Sequence, residues 1–180
     1  MKIAIKIVAA ILIIAAVFYG YFGGFAKITI RTLNQGGEIL VYENVTGPYS
    51  QSAKVSDRIY YDLLDNDGIE TTKGFGIYYD NPKNTAQDKL RSEVGCIIEN
   101  ADNTVTEKLR EKYQVKQLPV ENCAVAEFPL RGSFSIMMGI MRVYPAIEKY
   151  MREHKYNDGP VMEIYDVPEK KIIYRKIITQ

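Results

Sequence analysis

A chain of 180 residues has room for one ordinary domain and an appendage. Its formal net charge of +1, from 23 basic and 22 acidic residues, provides no global field for nucleic acid. Two cysteines, Cys96 and Cys123, are too few for a disulfide framework and lack metal-ligand spacing; two buried free thiols are favoured over a single disulfide.

The N-terminal run "IVAAILIIAAVFYGYFGGFA", residues 7–26, is uncharged and follows Lys2 and Lys6. As a helix it spans roughly 30 Å, the thickness of a bilayer's hydrocarbon core. Tyr19, Tyr21 and Phe22 lie near its far end, where amphipathic rings favour the interface. A cleaved signal peptide is the rival reading, but bulky rings occupy the zone where small-residue cleavage would fall, so a retained single-pass signal anchor is favoured. Lys2, Lys6 and the terminal amine outweigh Lys27 and Arg31 only slightly, which leans towards an extracytoplasmic domain. "GGF" reads as a hinge and "NQGG" as a turn.

Beyond the anchor, an alternating run from Lys27 turns at "NQGG" and continues as a strand through Tyr42 and Val45. Val55, Ile59 and Leu63 repeat at helical spacing, and Gly68 ends that helix. "KGFGIYYD" and "LRSEVGCII" read as strands around the turn "NPKN". The second half repeats the order. Thr104 and Glu107 suggest a capping box for a short connecting helix. A strand follows through "CAVAEFPL", then a long helix from about Ser133 that Pro145 is expected to kink or break. "VMEIYD" and "KIIYRKIITQ" are the closing strands around "VPEK".

The expected fold is therefore α+β: duplicated βαββ units forming one antiparallel sheet with helices on one face, plus the N-terminal transmembrane helix. The divisions are an anchor over 1–26, a juxtamembrane segment over 27–37 and a domain over 38–180, with halves of about 38–100 and 118–180. "IYYDNP" and "EIYDVP" stand at equivalent strand ends, and aligning their Asp and Pro sets Glu163 against Ile77.

"GIYYDNPKNTAQDKLRSEVGCII" resembles the central strand–turn–strand of the GyrI-like family, which includes the DNA gyrase inhibitor protein and the effector-binding domains of AraC-type and MerR-type regulators. "VTGPYS" resembles the family's lead into its first helix, and "VMEIYD" its late E-x-Y strand. "RVYPAIEKYMREHK" followed by "EIY" is similar to membrane-anchored members, among them reticulum-autophagy receptors whose domain is cytosolic. Their receptor role depends on a long acidic tail, and with the sequence ending at Gln180 that role is not expected here.

The resemblance implies a cleft between the halves for an amphipathic, often cationic, small molecule. In such a cleft, aromatic faces supply apolar area and cation–π attraction, and a buried carboxylate supplies countercharge. The candidates are Tyr49, Tyr78, Met137, Met138, Met141, Glu163, Tyr165 and Tyr174. Plainer alternatives are Tyr78 and Tyr165 as ordinary sheet residues, the methionines as core, and Glu163 solvated or paired with Arg142 or Lys176.

The case for an enzyme is weak. Many members of the family this chain resembles carry a second acid in the last strand, where Tyr174 stands here, and His154, the single histidine, reads as a solvated helix end. No catalytic residue, metal or cofactor is expected. The partners expected are the membrane and a small amphipathic ligand, with no nucleic acid, because no helix-turn-helix is present. A protein-interaction module at the membrane and a hydrolase using Glu163 are the alternatives.

Overall fold

The computed structural model describes residues 2–99 and 101–179. Helix α1 (Lys2–Tyr21) is the apolar run, and none of its residues is buried. Eight strands follow: β1 (Arg31–Gln35), β2 (Ile39–Thr46), β3 (Lys73–Tyr78), β4 (Arg91–Ile98), β5 (Gln114–Gln117), β6 (Glu121–Pro129), β7 (Val161–Asp166) and β8 (Lys171–Ile177). Three more helices are α2 (Ser52–Asp67), α3 (Asn103–Arg110) and α4 (Ser133–Glu153).

The strands form one antiparallel sheet in the order β1-β6-β8-β7-β3-β4-β2-β5. The unit β2-α2-β3-β4 supplies one half and β6-α4-β7-β8 the other, and β3 pairs with β7 at the centre. This is the duplicated α+β architecture expected from the sequence. Sequence patterning did not foresee β5, and it placed β1 in the juxtamembrane segment. β5 has a single apolar side chain, Val115, and so no periodicity; β1 is the end of the alternating run from Lys27, and the chain nearby gave no sign of its distant partner.

Those two edge strands exchange halves. β1 precedes the first unit but pairs with β6, and β5 precedes the second but pairs with β2. Their onward connections pass each other closely: Gly37 N–H donates to the Leu118 carbonyl at 2.9 Å, and Leu118 N–H to that of Glu38 at 2.9 Å. Gly36, with φ of 142°, meets this crossing so tightly that a Cβ would lie 1.9 Å from the Pro119 carbonyl oxygen. Leu118 packs there against Leu40, Phe75, Ile77, Ile97, Met162 and Ile164, an apolar cluster on the face away from α2 and α4.

On the helix face, α2 sets Ile59 and Leu63 against Val41, Cys96 and Ile98. α4 sets Met138, Val143, Ile147 and Met151 against Ala124, Ala126, Phe128, Ile172 and Tyr174. Side chains alternate across a strand, so the Cys96 position faces helices while Cys123 faces away, and both are buried free thiols.

Three local expectations are corrected. α3 is capped by Asp102, whose carboxylate accepts from Val105 N–H at 2.8 Å, rather than by a Thr104–Glu107 box. α4 runs unbroken through Pro145, because the carbonyl that loses its amide partner belongs to exposed Met141 and is not sealed in the core. The repeat alignment shifts by one residue. Glu163 pairs with Gly76, both on the helix face, whereas Ile77 lies on the opposite face against Met162. Matching Tyr78 with Tyr165 keeps the two faces in step and sets Gly76 against Glu163, so on this alignment the pseudo-twofold axis passes between that cross-strand pair.

Candidate functional site

The two main helices each cover their own half of the sheet and leave β3 and β7 exposed between them. The result is a cleft of about 1460 Å³, larger than the roughly 300–1,000 Å³ of a drug-sized site because it is open along its length. β3 lays Gly74 along the floor, while Gly76 is covered by Tyr78, whose hydroxyl would lie 2.6 Å from a Cβ there. A Cβ at Gly74 would meet nothing nearer than 3.7 Å, so this part of the floor is vacant for want of a side chain.

Glu163 sits at the axis, 2% exposed. The Tyr144 hydroxyl of α4 donates to its Oε1 at 2.7 Å, and the Tyr165 hydroxyl donates a short hydrogen bond to its Oε2. Burial raises the Glu163 pKa above the ordinary 4.5, and the two phenolic donors oppose that shift. Burial, reinforced by the nearby Glu163 charge, pushes Tyr78 up to about 12 and raises Tyr144 and Tyr165 well above the ordinary value. These phenols stay neutral donors at any physiological pH. Neither alternative partner reaches Glu163: Arg142 donates to the Gly23 carbonyl at 2.5 Å, and Lys176 pairs with Asp158.

Tyr49 lies on the α2 side of the cleft, its ring edge-on to Tyr78 with centroids 4.7 Å apart. Its hydroxyl donates to the Asp80 carbonyl at 2.8 Å and accepts from Asp80 N–H at 3.0 Å. Asp80 in turn holds Arg91 through Nε at 3.0 Å, Nη2 at 2.9 Å and the backbone N–H at 2.8 Å. That pairing keeps the Asp80 carboxyl below its usual range. "YYDNP" and the "KLR" strand thus form a clamp that closes the β3–β4 connection and fixes Tyr49.

Of the sequence candidates, Tyr49, Tyr78, Met141, Glu163 and Tyr165 line the cleft, and Met137, Met138 and Tyr174 do not. Met138 is buried in the α4 core, while Met137 is exposed outside the cleft, because neighbouring helical positions point about 100° apart. Tyr174 is fully buried beneath Gly139, where a Cβ would fall 2.2 Å from its hydroxyl. Its ring packs edge-on against Tyr144 at 5.9 Å, supporting the phenol that holds Glu163. Sequence reasoning missed Tyr144, Gly74 and Ile140. The helical spacing of Ile140 and Tyr144 in α4 was a usable signal; that of Gly74 was not, because a vacancy is defined by its neighbours.

Acids outnumber bases around the lining, with Asp57, Glu70, Asp80, Glu148, Asp158 and Glu163 against Lys73, Lys83 and Lys176. Among the described residues, no group of three or more His, Cys, Asp or Glu is placed to hold a metal ion.

Residues 46–177 match the family model described as the GyrI-like small molecule binding domain. The chain belongs to the GyrI-like family. Human Testis-expressed protein 264 is similar to it, with 33% identity over 99 residues, which are 52% of this chain and 32% of that protein. The mouse homolog is 30% identical over the same length. The match therefore spans about a third of the curated relatives' length.

The GyrI-like fold recurs in solved structures. SAV2435 bound to tetraphenylphosphonium gives a TM-score of 0.53 at 12% identity, covering 85% of this chain and 94% of that one. The C-terminal domain of EcmrR gives 0.55 at 10% identity, covering 86% and 98%. A putative bacterial transcription regulation protein from Staphylococcus aureus gives 0.54 at 12% identity, covering 86% and 99%.

Proposed function

We propose that this chain is a membrane-anchored GyrI-like domain that binds an amphipathic organic cation between its two halves, as a sensor or sequestering protein without catalysis. The observation that carries the reading is the buried Glu163 carboxylate of the cleft lining, held by the hydroxyls of Tyr144 and Tyr165 with the Tyr49 and Tyr78 rings in the same lining. An ionised carboxylate under aromatic faces attracts a large, weakly hydrated cation without requiring a directional hydrogen bond. The vacant floor at Gly74 and the pliable Met141 admit bulk. The acid-rich lining biases the cleft towards positive ligands.

The anchor is α1, whose apolar residues face outward along its whole length, and the lysines in its first turns, Lys2 and Lys6, lean towards an extracytoplasmic domain. Reporter fusions after the last strand read that side directly.

Fluorescence titration of the chain in mild detergent with tetraphenylphosphonium and related lipophilic cations tests the binding. Saturable binding by wild type, with marked loss in Glu163→Gln, is expected. Equal affinity in both proteins, or no binding of any cation, refutes the reading.

A further inference from the structure

The join between α1 and the domain is a packed contact. Arg131 Nη1 donates to the Tyr21 carbonyl at 2.6 Å with its guanidinium 4.9 Å from the Tyr21 ring, and Arg142 Nη1 donates to the Gly23 carbonyl at 2.5 Å. Two cations thus cap carbonyls at the end of α1. Gly23 is buried, and a Cβ there would lie 2.6 Å from the Phe128 ring. Phe22 packs against the α4 core and against Phe134 at 5.6 Å. The "GGF" segment is therefore a docking point, which corrects its reading as a hinge.

Phe134, at the start of α4, also meets Phe18 at 5.3 Å. Phe18 lies three residues, about 4.5 Å of helix rise, before the end of α1, so α4 begins beside the apolar run itself. From there an exposed apolar stripe follows α4. Phe134 is 50% exposed, Met137 46%, Ile140 47% and Met141 65%. Ile140 and Met141 then form part of the cleft lining. Exposed apolar side chains thus run without a break from the side of α1 to the mouth of the cleft.

We propose that this stripe of α4 is seated in the interfacial layer of the lipid bilayer that α1 spans, so that the cleft opens along the membrane surface and takes its amphipathic ligand from the lipid. The inference rests on the anchor reading above. Continuity with α1 selects lipid as the occupant, because the stripe starts against a helix whose other neighbours are acyl chains. An apolar helix face lying in the interface, with its ends held, is a stable arrangement. The two arginines fix the tilt of the domain and keep the stripe turned towards the membrane.

The chain contains no tryptophan, so a single introduced tryptophan reports alone. Full-length Met137→Trp and Met141→Trp, reconstituted in phosphatidylcholine vesicles, are compared in plain lipid and in lipid brominated near the headgroup end of the acyl chains. Ile11→Trp, within α1, reports the anchor, and Lys108→Trp, on α3 at the far edge of the sheet, reports water. The expected result is loss of emission in brominated lipid for positions 137, 141 and 11, with none at 108. If positions 137 and 141 match position 108 while position 11 is quenched, the stripe faces water or another protein and the proposal is overturned with the anchor intact. If position 11 is not quenched, the anchor reading falls and this inference falls with it.

Discussion

The two halves of this domain place the same strands and helices about one axis, yet they meet it with opposite chemistry. The first half contributes Gly76, and Gly74 beside it; the second contributes Glu163 where its partner has glycine, and Val161 where its partner has Gly74. Duplication alone would make a symmetric groove. The side-chain difference makes one wall a vacant floor and the other a carboxylate held by two phenols, so the cleft has a side for bulk and a side for charge.

Breaking the second half has the largest expected effect. Tyr174 is a fully buried ring that carries both α4 and Tyr144, so Tyr174→Ala should cost about 3–5 kcal/mol of stability, read by chemical denaturation in mild detergent. Gly139, which packs against that hydroxyl, has no side chain of its own to fill the hole.

Next is the charge itself. At an effective dielectric near 20 and roughly 8 Å, a carboxylate attracts a cation by about 2 kcal/mol, so Glu163→Gln should weaken lipophilic-cation binding roughly thirtyfold. Its folded-state pKa is raised above the ordinary 4.5 by burial, so the folded protein holds this proton more tightly than the unfolded chain. The sign follows: stability from this group is greatest at low pH and declines as pH rises from about 4.5 through the raised folded value, then levels off. Glu163→Gln should remove that decline from a stability–pH series. Cation affinity in wild type should run the other way, rising over the same window as the carboxylate ionises.

Tyr144→Phe tests the hold on that charge and leaves the charge in place. It removes one donor worth about 1.5–3 kcal/mol to the ionised carboxylate, raising the Glu163 pKa further and moving the binding-versus-pH curve to higher pH. An unmoved curve would mean that Tyr165 alone holds the charge. The smallest expected effect comes from restoring the symmetry. Gly74→Val copies Val161 into the first half, with open space for its Cβ, and should leave stability within about 1 kcal/mol. Affinity for four-ring cations should fall while that for slender ones is kept, as a titration series of graded cation size would show.

Much of the scaffold was legible in the chain because it rests on local periodicity. The apolar run of α1, the i, i+4 spacing of Ile59 and Leu63, and the strand–turn–strand of "YYDNP" are each set by nearby residues. Glu163 and Tyr165 also stood out, since residues two apart on a strand share a face. The strand β5 did not, nor did the partner of β1, because an edge strand with one apolar residue is stabilised by a partner far away in sequence. Nor did the sequence separate Met141, which lines the cleft, from Met137 and Met138, which do not, since all three satisfy a helical pattern.

By itself, then, the sequence determined that this protein is an apolar helix followed by a duplicated α+β domain of the GyrI-like family, with an acid and tyrosines near one strand end. Only the tertiary structure decided that Gly76, rather than Ile77, shares the helix face with Glu163, that Tyr144 and not Tyr174 reaches the carboxylate, and that the end of α1 is held at the start of α4 by Arg131 and Arg142. The reason is physical. Periodicity fixes which way a side chain points within its own element, but strand register, helix seating and vacant space are set between elements, where a shift of one residue moves every side chain to the other face.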